Sequence, residues 1–437
     1  MGLIELISTA VKNNAAVKTF GSIILVGAFI FVPVNMLRVN YHYQNRHNDY
    51  LPFDYAYNIL QSLDKDAIVF TNGDNDTFPL WYLQSAGYRT DVRVINLSLL
   101  QMPWYIKEQK YSSPYGALTV PIDLSDDEIE RLQPTQWSEF KTVSIDVPAE
   151  AYPDSLKEKS DLPEKLVWKM PATISEGKIK GVRVSDLMVF DIIKSCQWQR
   201  PVYFSITVSK DNYIGLDDYI VQEGMAKRLV PYRDESGKQF RVSELMYENF
   251  MSTPGGHSRT PQNGFFFRNL ADPGIFYDET HTNIIQSYRS QYIILAYYYY
   301  KTDNDRTAAA LAKMEENMPG NATPMDYRIQ FDAAKLYAEI GDTNSFDRLS
   351  PGVEKAALDE LKKNPANTQS YYNPYRLLID IYHARADYKS ELDILNKLNQ
   401  VMPGRPEVQR KIEILQARIE NRQDENQQDV NEENNEP

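Results

Sequence analysis

The α/β character of this chain is clearest in one segment, Ala67-Ile68-Val69-Phe70-Thr71-Asn72-Gly73-Asp74-Asn75-Asp76-Thr77-Phe78. Its first five residues are apolar or β-branched, which predicts a buried β-strand. The polar turn leads into Phe78–Ser85, for which we predict a helix with Thr77 as N-cap and Pro79 in the first turn. A second strand is predicted over Asp91–Leu97. Strands that alternate with helices imply parallel pairing and right-handed crossovers.

The same alternation continues downstream. A further helix and three short strands are predicted at Asp186–Cys196, Val202–Val208, Tyr219–Val221 and Lys227–Val230. Residues 112–170 are rich in Pro, Asp and Lys and carry only weak strand patterns, so we interpret them as an insertion in the α/β core. We therefore expect an α/β soluble domain over residues 39–281 with that insertion inside it.

Composition excludes several classes of protein. The 437 residues are enough for about two or three domains. The net charge of −13 argues against nucleic-acid binding, because a phosphate backbone needs a basic surface. A single cysteine, Cys196, excludes an intrachain disulfide framework, a zinc ribbon and a Cys-x-x-Cys redox pair.

An uncharged apolar run lies near the N-terminus, at Thr19–Leu37. At 1.5 Å per residue it nearly crosses a hydrocarbon core of about 30 Å. We predict a transmembrane helix over residues 19–38, preceded by an N-terminal segment of residues 1–18. A signal peptide and a buried helix of a soluble domain are the alternatives, but no small-x-small cleavage pattern follows the run. The flanking basic residues are balanced, so charge does not indicate the orientation.

The second half of the chain predicts helices only. A tyrosine is followed by an aspartate five positions later at Tyr298–Asp303, Tyr337–Asp342 and Tyr382–Asp387. We expect each aspartate to mark the turn between two antiparallel helices, as in degenerate tetratricopeptide repeats. Residues 282–421, ending in a helix over Pro406–Asn421, then form a helical-repeat domain. Such a domain either binds a partner in its concave groove or packs as a scaffold on the α/β domain. Residues 422–437 are predicted to be a disordered acidic tail.

The polar turn after the first strand is the sharpest candidate for a functional site. It follows the carboxyl end of a strand, where open α/β sheets bind ligands. The candidate ligand-binding residues are Asn72, Asp74, Asn75, Asp76, Thr77 and Trp81. Asp74 and Asp76 are also candidate ligands for a divalent cation, because Mg²⁺, Mn²⁺ and Ca²⁺ prefer carboxylate oxygens. Three interpretations stay open for this turn: a capped helix start, a polar-ligand site and a metal site.

Other residues carry weaker signals. His42, His47 and Asp49, just after the apolar run, are either a metal or acid–base cluster or a polar juxtamembrane hinge. The pairs Trp81-Tyr82 and Trp104-Tyr105 either stack on a sugar ring or pack in a core. The sequence contains no nucleophile-elbow, P-loop or dinucleotide-binding motif, so no catalytic residue is assigned.

Several segments together resemble a known family. They are Ala67–Gln84, Arg89–Leu100, Trp104–Ile106, Arg200–Phe204, Gly215–Tyr219 and Arg228–Pro231. These resemble the C-terminal half of a family of large Gram-negative membrane proteins, a domain-of-unknown-function group described as similar to protein O-mannosyltransferases. Such proteins have a multi-spanning N-terminal half and a soluble α/β part, often followed by tetratricopeptide repeats. In membrane glycosyltransferases of this kind, the catalytic acid lies between early membrane helices and the sugar donor is lipid-linked.

The resemblance implies a protein of the bacterial inner membrane with its soluble part in the periplasm, and the one predicted span makes it a single-pass protein. Because only one span is predicted here, the catalytic acid is missing, and by resemblance the chain looks like the last membrane helix plus the soluble domain. It is then a separated gene product, a truncated reading frame or an accessory subunit, and these three alternatives stay open. We therefore expect the chain to handle the acceptor or a partner in a glycosyltransferase-like system, without catalysing transfer alone. The expected partners are the membrane, a multi-spanning membrane protein, and a protein or glycan ligand. The alternative function is a non-catalytic envelope scaffold that binds proteins through its helical repeats.

Overall fold

The computed structural model describes residues 15–158, 162–177, 179–233 and 240–433. Two parts of the predictions lie outside the described residues: positions 1–14 of the predicted N-terminal segment and positions 434–437 of the predicted tail. In the described part the helices are α1 (Ala15–Gln44), α2 (Leu51–Gln61), α3 (Asp74–Ser85), α4 (Pro103–Tyr111), α5 (Asp126–Glu130), α6 (Asp154–Lys157), α7 (Val184–Cys196), α8 (Glu244–Met251), α9 (Glu279–Tyr299), α10 (Asn304–Asn317), α11 (Tyr327–Glu339), α12 (Thr343–Lys363), α13 (Pro374–Ala384), α14 (Tyr388–Val401) and α15 (Pro406–Glu433).

The strands are shorter than the helices and belong to three sheets. They are β1 (Ile68–Thr71), β2 (Arg93–Asn96), β3 (Thr135–Gln136), β4 (Phe140–Asp146), β5 (Lys165–Pro171), β6 (Ile174–Glu176), β7 (Ile179–Val182), β8 (Val202–Ser205), β9 (Ile220–Gln222) and β10 (Ala226–Leu229). The expectation of a mixed α/β part, a C-terminal helical region and one N-terminal apolar helix is confirmed.

The N-terminal helix α1 is exposed along its whole apolar part. Thr19–Gln44 has the length and hydropathy of a membrane span, and none of its most apolar stretch is buried against the rest of the described chain. The span predicted over residues 19–38 lies within it. A helix of this composition fits a membrane anchor or a signal sequence, because both need an uninterrupted apolar segment.

A five-stranded mixed sheet organises the α/β part. Its strand order is β2-β1-β8-β10-β9. β1 pairs in parallel with β2 on one side and β8 on the other, whereas β10 pairs antiparallel with both β8 and β9. Each of the strands β1, β2 and β8 has four residues, and every one of them is buried. This explains why these strands have continuous rather than alternating apolar patterns.

The helix after β1 begins earlier than predicted. It starts at Asp74, with Gly73 at the N-cap position, so the prediction that Thr77 caps this helix is wrong. Gly73 has φ +82°, which glycine adopts easily, and the chain therefore turns directly out of the strand. Thr77 lies inside the helix instead and donates its hydroxyl to the Gly73 carbonyl oxygen at 2.8 Å.

The predicted insertion contains two small sheets. β4 and β5 form an antiparallel two-stranded sheet. β7 lies between β3 and β6 in the other sheet, which extends to Val182, beyond the predicted limit at residue 170. The weak patterns of this region reflect strands such as β4, whose residues are mostly exposed.

The C-terminal region consists of helices that pack in sequence. The three aspartates expected at turns each accept a main-chain N–H three residues on: Asp303 from Arg306 at 3.0 Å, Asp342 from Ser345 at 3.0 Å, and Asp387 from Ser390 at 3.2 Å. Each aspartate therefore caps the second helix of a pair. The first of these helices, α9, shares a hydrophobic core with α2, and Asn58 donates to the Tyr288 hydroxyl at 2.8 Å.

The last helix is longer than predicted. We expected α15 to end at Asn421 and a disordered tail to follow, but the helix continues to Glu433. The segment from residue 407 to 433 contains no glycine or proline, and its Glu and Gln residues have high helix propensity. Polarity alone is therefore a poor guide to the end of this helix.

Candidate functional site

The central sheet brings the carboxyl ends of three parallel strands to one edge. β1, β2 and β8 end at Thr71, Asn96 and Ser205. The chain leaves β1 toward β2 and later returns to β8 on the opposite side of β1. Such a reversal opens a crevice where α/β sheets commonly bind ligands. We name this end of the sheet, comprising residues 71–77, Asn96 and residues 205–207, the polar edge.

Both carboxylate oxygens of Asp76 accept hydrogen bonds at this edge. The Tyr55 hydroxyl donates to Oδ1 at 2.9 Å, the Ser205 hydroxyl donates to Oδ2 at 2.9 Å, and the Thr207 hydroxyl also donates to Oδ2. Asp76 is only 2% exposed. Burial raises the pKa of its carboxyl, and the bonds from Thr207, Tyr55 and Ser205 counteract that rise. Asp76 thus links α2, α3 and the end of β8.

A second network joins the ends of β1 and β2. The Thr77 hydroxyl oxygen lies 2.8 Å from that of Thr71 and accepts a hydrogen bond from Asn96 Nδ2 at 2.8 Å. The Asn96 amide oxygen in turn accepts the main-chain N–H of Ser98 at 2.8 Å. Thr77 and Asn96 are buried, so this network holds the turn between β1 and α3 in position from the buried side.

The other predicted site residues are arranged differently. Asn72, Asp74 and Asn75 are exposed at the polar edge, whereas Trp81 is half-buried and packs against the core. In the described residues no group of three or more His, Cys, Asp or Glu side chains is arranged to hold a metal ion. Of the two candidate cation ligands, Asp74 is exposed and Asp76 already accepts three hydrogen bonds.

Four large apolar side chains remain exposed on the helices that follow β1 and β2 or at their starts, and we name them the aromatic rim: Phe78, Tyr82, Met102 and Trp104. Phe78 and Tyr82 lie on α3, which follows β1, and the other two lie at the start of α4, which follows β2. Trp104 is 59% exposed. Its neighbour Tyr105 is buried and accepts the Asn96 main-chain N–H at 3.0 Å, which fixes α4 to the polar edge.

A cluster of ionisable side chains holds the segment after α1 against the rest of the protein. Arg46 pairs with Asp278 at 2.9 Å. The His281 ring lies between two carboxylates, 2.7 Å from Asp278 and 3.5 Å from Asp49. Burial acts to raise the pKa of Asp278, but hydrogen bonds from the His281 main chain and ring and from Arg46 hold it at about 2. We name Arg46, Asp49, Asp278 and His281 the clasp.

The predicted cluster of His42, His47 and Asp49 is divided by the fold. The His42 ring packs 5.4 Å from the ring of Phe276, and His47 is exposed. Asp49 is the member that joins the clasp, where it also accepts the main-chain N–H of Leu51 at 3.2 Å. That bond lies at the first residue of α2.

Tyr55 connects the segment after α1 to the polar edge. It lies in the second turn of α2, the helix that begins directly after the clasp residue Asp49 and its neighbour Tyr50, and its hydroxyl reaches Asp76. Because α2 runs from the clasp toward the amino end of β1, its first turns lie beside the carboxyl end of the sheet. The end of α1 and the polar edge therefore lie at the same end of the protein.

A groove is also present in the helical region. It has a volume of about 360 Å³ and lies between α11 and α13, with Phe346 of α12 contributing to its wall. Lys335 and Asp380 face each other across it at 3.1 Å. The groove therefore combines apolar walls with a cation–carboxylate pair, which suits an extended peptide or a short polar ligand.

Three residues that bind the Asp76 carboxylate were missed by reasoning from the sequence. Ser205 ends β8, a strand parallel to β1, and Thr207 follows two residues later. Because parallel strands end at a common edge of the sheet, their positions in the sequence indicate that they lie near the turn after β1. Tyr55 lies 21 residues before Asp76 on a helix whose apolar pattern carries no sign of this contact. The His281–Asp49 contact of the clasp joins residues too distant in sequence for any local pattern to indicate it.

Comparison with known proteins gives a related family for the α/β part. No curated protein and no solved structure matches the chain. Residues 52–143 and 140–246 match a family model, and together they run from α2 into α8. Over that part the chain is similar to the TMEM260-associated domain 2 family, a domain of unknown function.

Proposed function

We propose that this chain is the membrane-anchored soluble portion of a glycosyltransferase-like system that resembles protein O-mannosyltransferases. In this proposal it handles the acceptor or a partner at the polar edge and does not catalyse sugar transfer alone. The observation that carries the proposal is the Tyr55–Asp76 hydrogen bond, because it joins the edge to the helix that directly follows the apolar helix α1.

The proposed location is the bacterial inner membrane, with α1 as a single-pass anchor and the soluble part in the periplasm. A multi-spanning membrane partner would supply the catalytic acid and the lipid-linked sugar donor. The exposed apolar surface of α1 supports the anchor, and the resemblance of the sequence supplies the transferase class. The clasp supports a fixed orientation on the membrane, since it ties the segment after α1 to the start of α9.

The ligand would contact the exposed members of the polar turn. Asn72, Asp74 and Asn75 offer amide and carboxylate groups that can hydrogen-bond the hydroxyls of a glycan or of an acceptor peptide. Asp76 and Thr77 would act as positioning residues, because their side chains are buried and already bonded. The aromatic rim adds Trp104, whose exposed ring can stack on a sugar.

Binding by the full chain in lipid nanodiscs tests the proposal. A serine- and threonine-containing peptide and its mannosylated form are titrated against the wild type, Asp74→Ala and Asp127→Ala. Asp127 is the matched control, because its side chain is 88% exposed and lies on α5, outside the polar edge. We expect Asp74→Ala to weaken binding about tenfold and Asp127→Ala to leave it unchanged. Equal affinity of all three proteins would contradict a site at the polar edge.

A second candidate function is protein binding by the helical region as an envelope scaffold. The groove between α11 and α13 favours it, and the capped helix pairs support a tetratricopeptide-like arrangement. Substitution of Lys335 by alanine distinguishes the two candidates in the same titration. Loss of peptide binding in Lys335→Ala, with normal binding in Asp74→Ala, would favour the scaffold.

A further inference from the structure

The sequence contains two Asn-Gly pairs, and the fold places them in different environments. Asn72-Gly73 lies in the turn between β1 and α3, and Asn263-Gly264 lies between α8 and α9. In such a pair the main-chain nitrogen of the glycine can attack the side-chain amide carbon of the asparagine, because glycine has no side chain to hinder the approach. Both asparagines precede the same residue, so a difference in their reactivity reports on the fold.

The reacting groups of Asn72-Gly73 are open to solvent and unbonded. Asn72 is exposed, and its side-chain amide has no hydrogen-bond partner in the described part of the chain. The main-chain N–H of Gly73 likewise donates to no group among the described residues. Apart from its two neighbours in the chain, no residue places a heavy atom within 4 Å of the point where a Gly73 side chain would begin. The turn therefore leaves room for a ring to form between these two residues.

The reacting groups of Asn263-Gly264 are both bonded. The Asn263 amide nitrogen donates to Oε2 of Glu248 at 2.6 Å. The main-chain N–H of Gly264 donates to Oδ1 of Asn249 at 2.9 Å. Gly264 is buried, and Cδ of Pro254 lies 3.0 Å from the point where its side chain would begin. Attack at this pair requires both hydrogen bonds to break and the surrounding loop to open first.

We propose that Asn72 is a site of spontaneous covalent modification, which converts it into aspartate and isoaspartate. The nitrogen of Gly73 forms a bond to Cγ of Asn72, and the side-chain amide nitrogen leaves with the proton of the Gly73 N–H as ammonia. Water then opens the resulting succinimide ring: its hydroxyl adds to one of the two ring carbonyl carbons, and its remaining hydrogen returns to the nitrogen of Gly73. Water is the co-reactant, and the step involves no change of oxidation state.

The modification changes both the charge and the main chain of the polar edge. Either product adds one carboxylate to a chain whose net charge is already −13, at a position two residues before the exposed Asp74. Isoaspartate also lengthens the main chain by one carbon directly before Gly73, whose carbonyl oxygen accepts the Thr77 hydroxyl at 2.8 Å. The inference is independent of the function proposed for the polar edge, because it concerns a covalent change that is measured without a ligand.

Peptide mass spectrometry of the full chain, aged in phosphatidylcholine nanodiscs at neutral pH, tests the site. We expect conversion at position 72 to be at least about tenfold faster than at position 263, because two hydrogen bonds of about 1 kcal/mol each must break there first. Isoaspartate, identified by electron-transfer fragmentation, should form at position 72, since only the ring route produces it. Asn72→Gln should produce none there, because its longer side chain does not form the same ring readily.

Two controls separate the fold from the local sequence. In the urea-unfolded full chain, positions 72 and 263 should convert at similar rates. In the folded chain, Glu248→Ala removes the bond to the Asn263 amide and should speed conversion at 263 while leaving 72 unchanged. Glu248 is exposed, so this variant should fold.

Three results would overturn the proposal. The first is conversion at position 72 of the folded chain that is no faster than at position 263. The second is a product at position 72 that contains no isoaspartate. The third is a difference between the two positions that persists unchanged in urea, because the local sequence rather than the fold would then cause it.

Discussion

The Tyr55 hydroxyl lies 2.9 Å from Oδ1 of Asp76 and donates a hydrogen bond to it. This contact joins the helix that follows α1 to the helix that follows β1. Together with the bonds from Ser205 and Thr207, it makes Asp76 the residue that connects three elements at the polar edge. The function proposed for this edge depends on that connection, because it fixes the edge relative to the helix that follows α1.

Replacement of Asp76 should destabilise the protein far more than replacement of Asp74. Asp76→Ala removes three hydrogen bonds to a buried carboxylate and should lower the free energy of unfolding by about 3 kcal/mol. Asp74→Ala should change it by less than about 0.5 kcal/mol, because Asp74 is exposed. Chemical denaturation of both variants checks the difference. Equal destabilisation would show that Asp76 is not the structural residue of the pair.

The clasp should order the segment between α1 and α2. His281→Ala removes the ring that bridges Asp49 and Asp278, so amide hydrogen exchange in residues 45–50 should become faster. The cost in global stability should be about 1 kcal/mol or less, because part of the clasp is exposed. His383→Ala is the matched control, since His383 also contacts a carboxylate, Glu391 at 3.1 Å. Unchanged exchange in His281→Ala would argue against the clasp.

Asp191 should make stability depend on pH in the acidic range. Burial raises its pKa to about 6, although the N–H of Asp123 counteracts the rise, whereas an unfolded aspartate titrates at about 3.9. The folded state therefore binds more protons than the unfolded state between these values, and stability falls as the pH rises through them. Asp191→Asn should reduce that fall. Urea denaturation across this pH range, with Asp127→Asn as control, measures the effect. An unchanged pH profile would contradict it.

Reasoning from sequence located the main elements because their patterns are local. The strand at Ile68–Thr71 is an uninterrupted run of apolar or β-branched residues. The aspartates at 303, 342 and 387 are helix caps with a fixed spacing to the N–H that they accept. The predicted start of α3 was wrong because a glycine at positive φ allowed the helix to begin before the predicted cap. The clasp and the Tyr55–Asp76 contact depend on tertiary packing, which no local pattern encodes.

The position of the polar edge relative to the lipid surface tests the proposed function most directly. A fluorophore is attached at Asn75→Cys, on the polar edge, or at Lys65→Cys, at the amino end of the sheet, in the full chain in nanodiscs with spin-labelled lipid headgroups. The native Cys196 is buried, and the Lys65 side chain is 77% exposed. We predict strong quenching at position 75 and little at position 65. Equal quenching at both positions, or stronger quenching at position 65, would contradict a polar edge that faces the membrane.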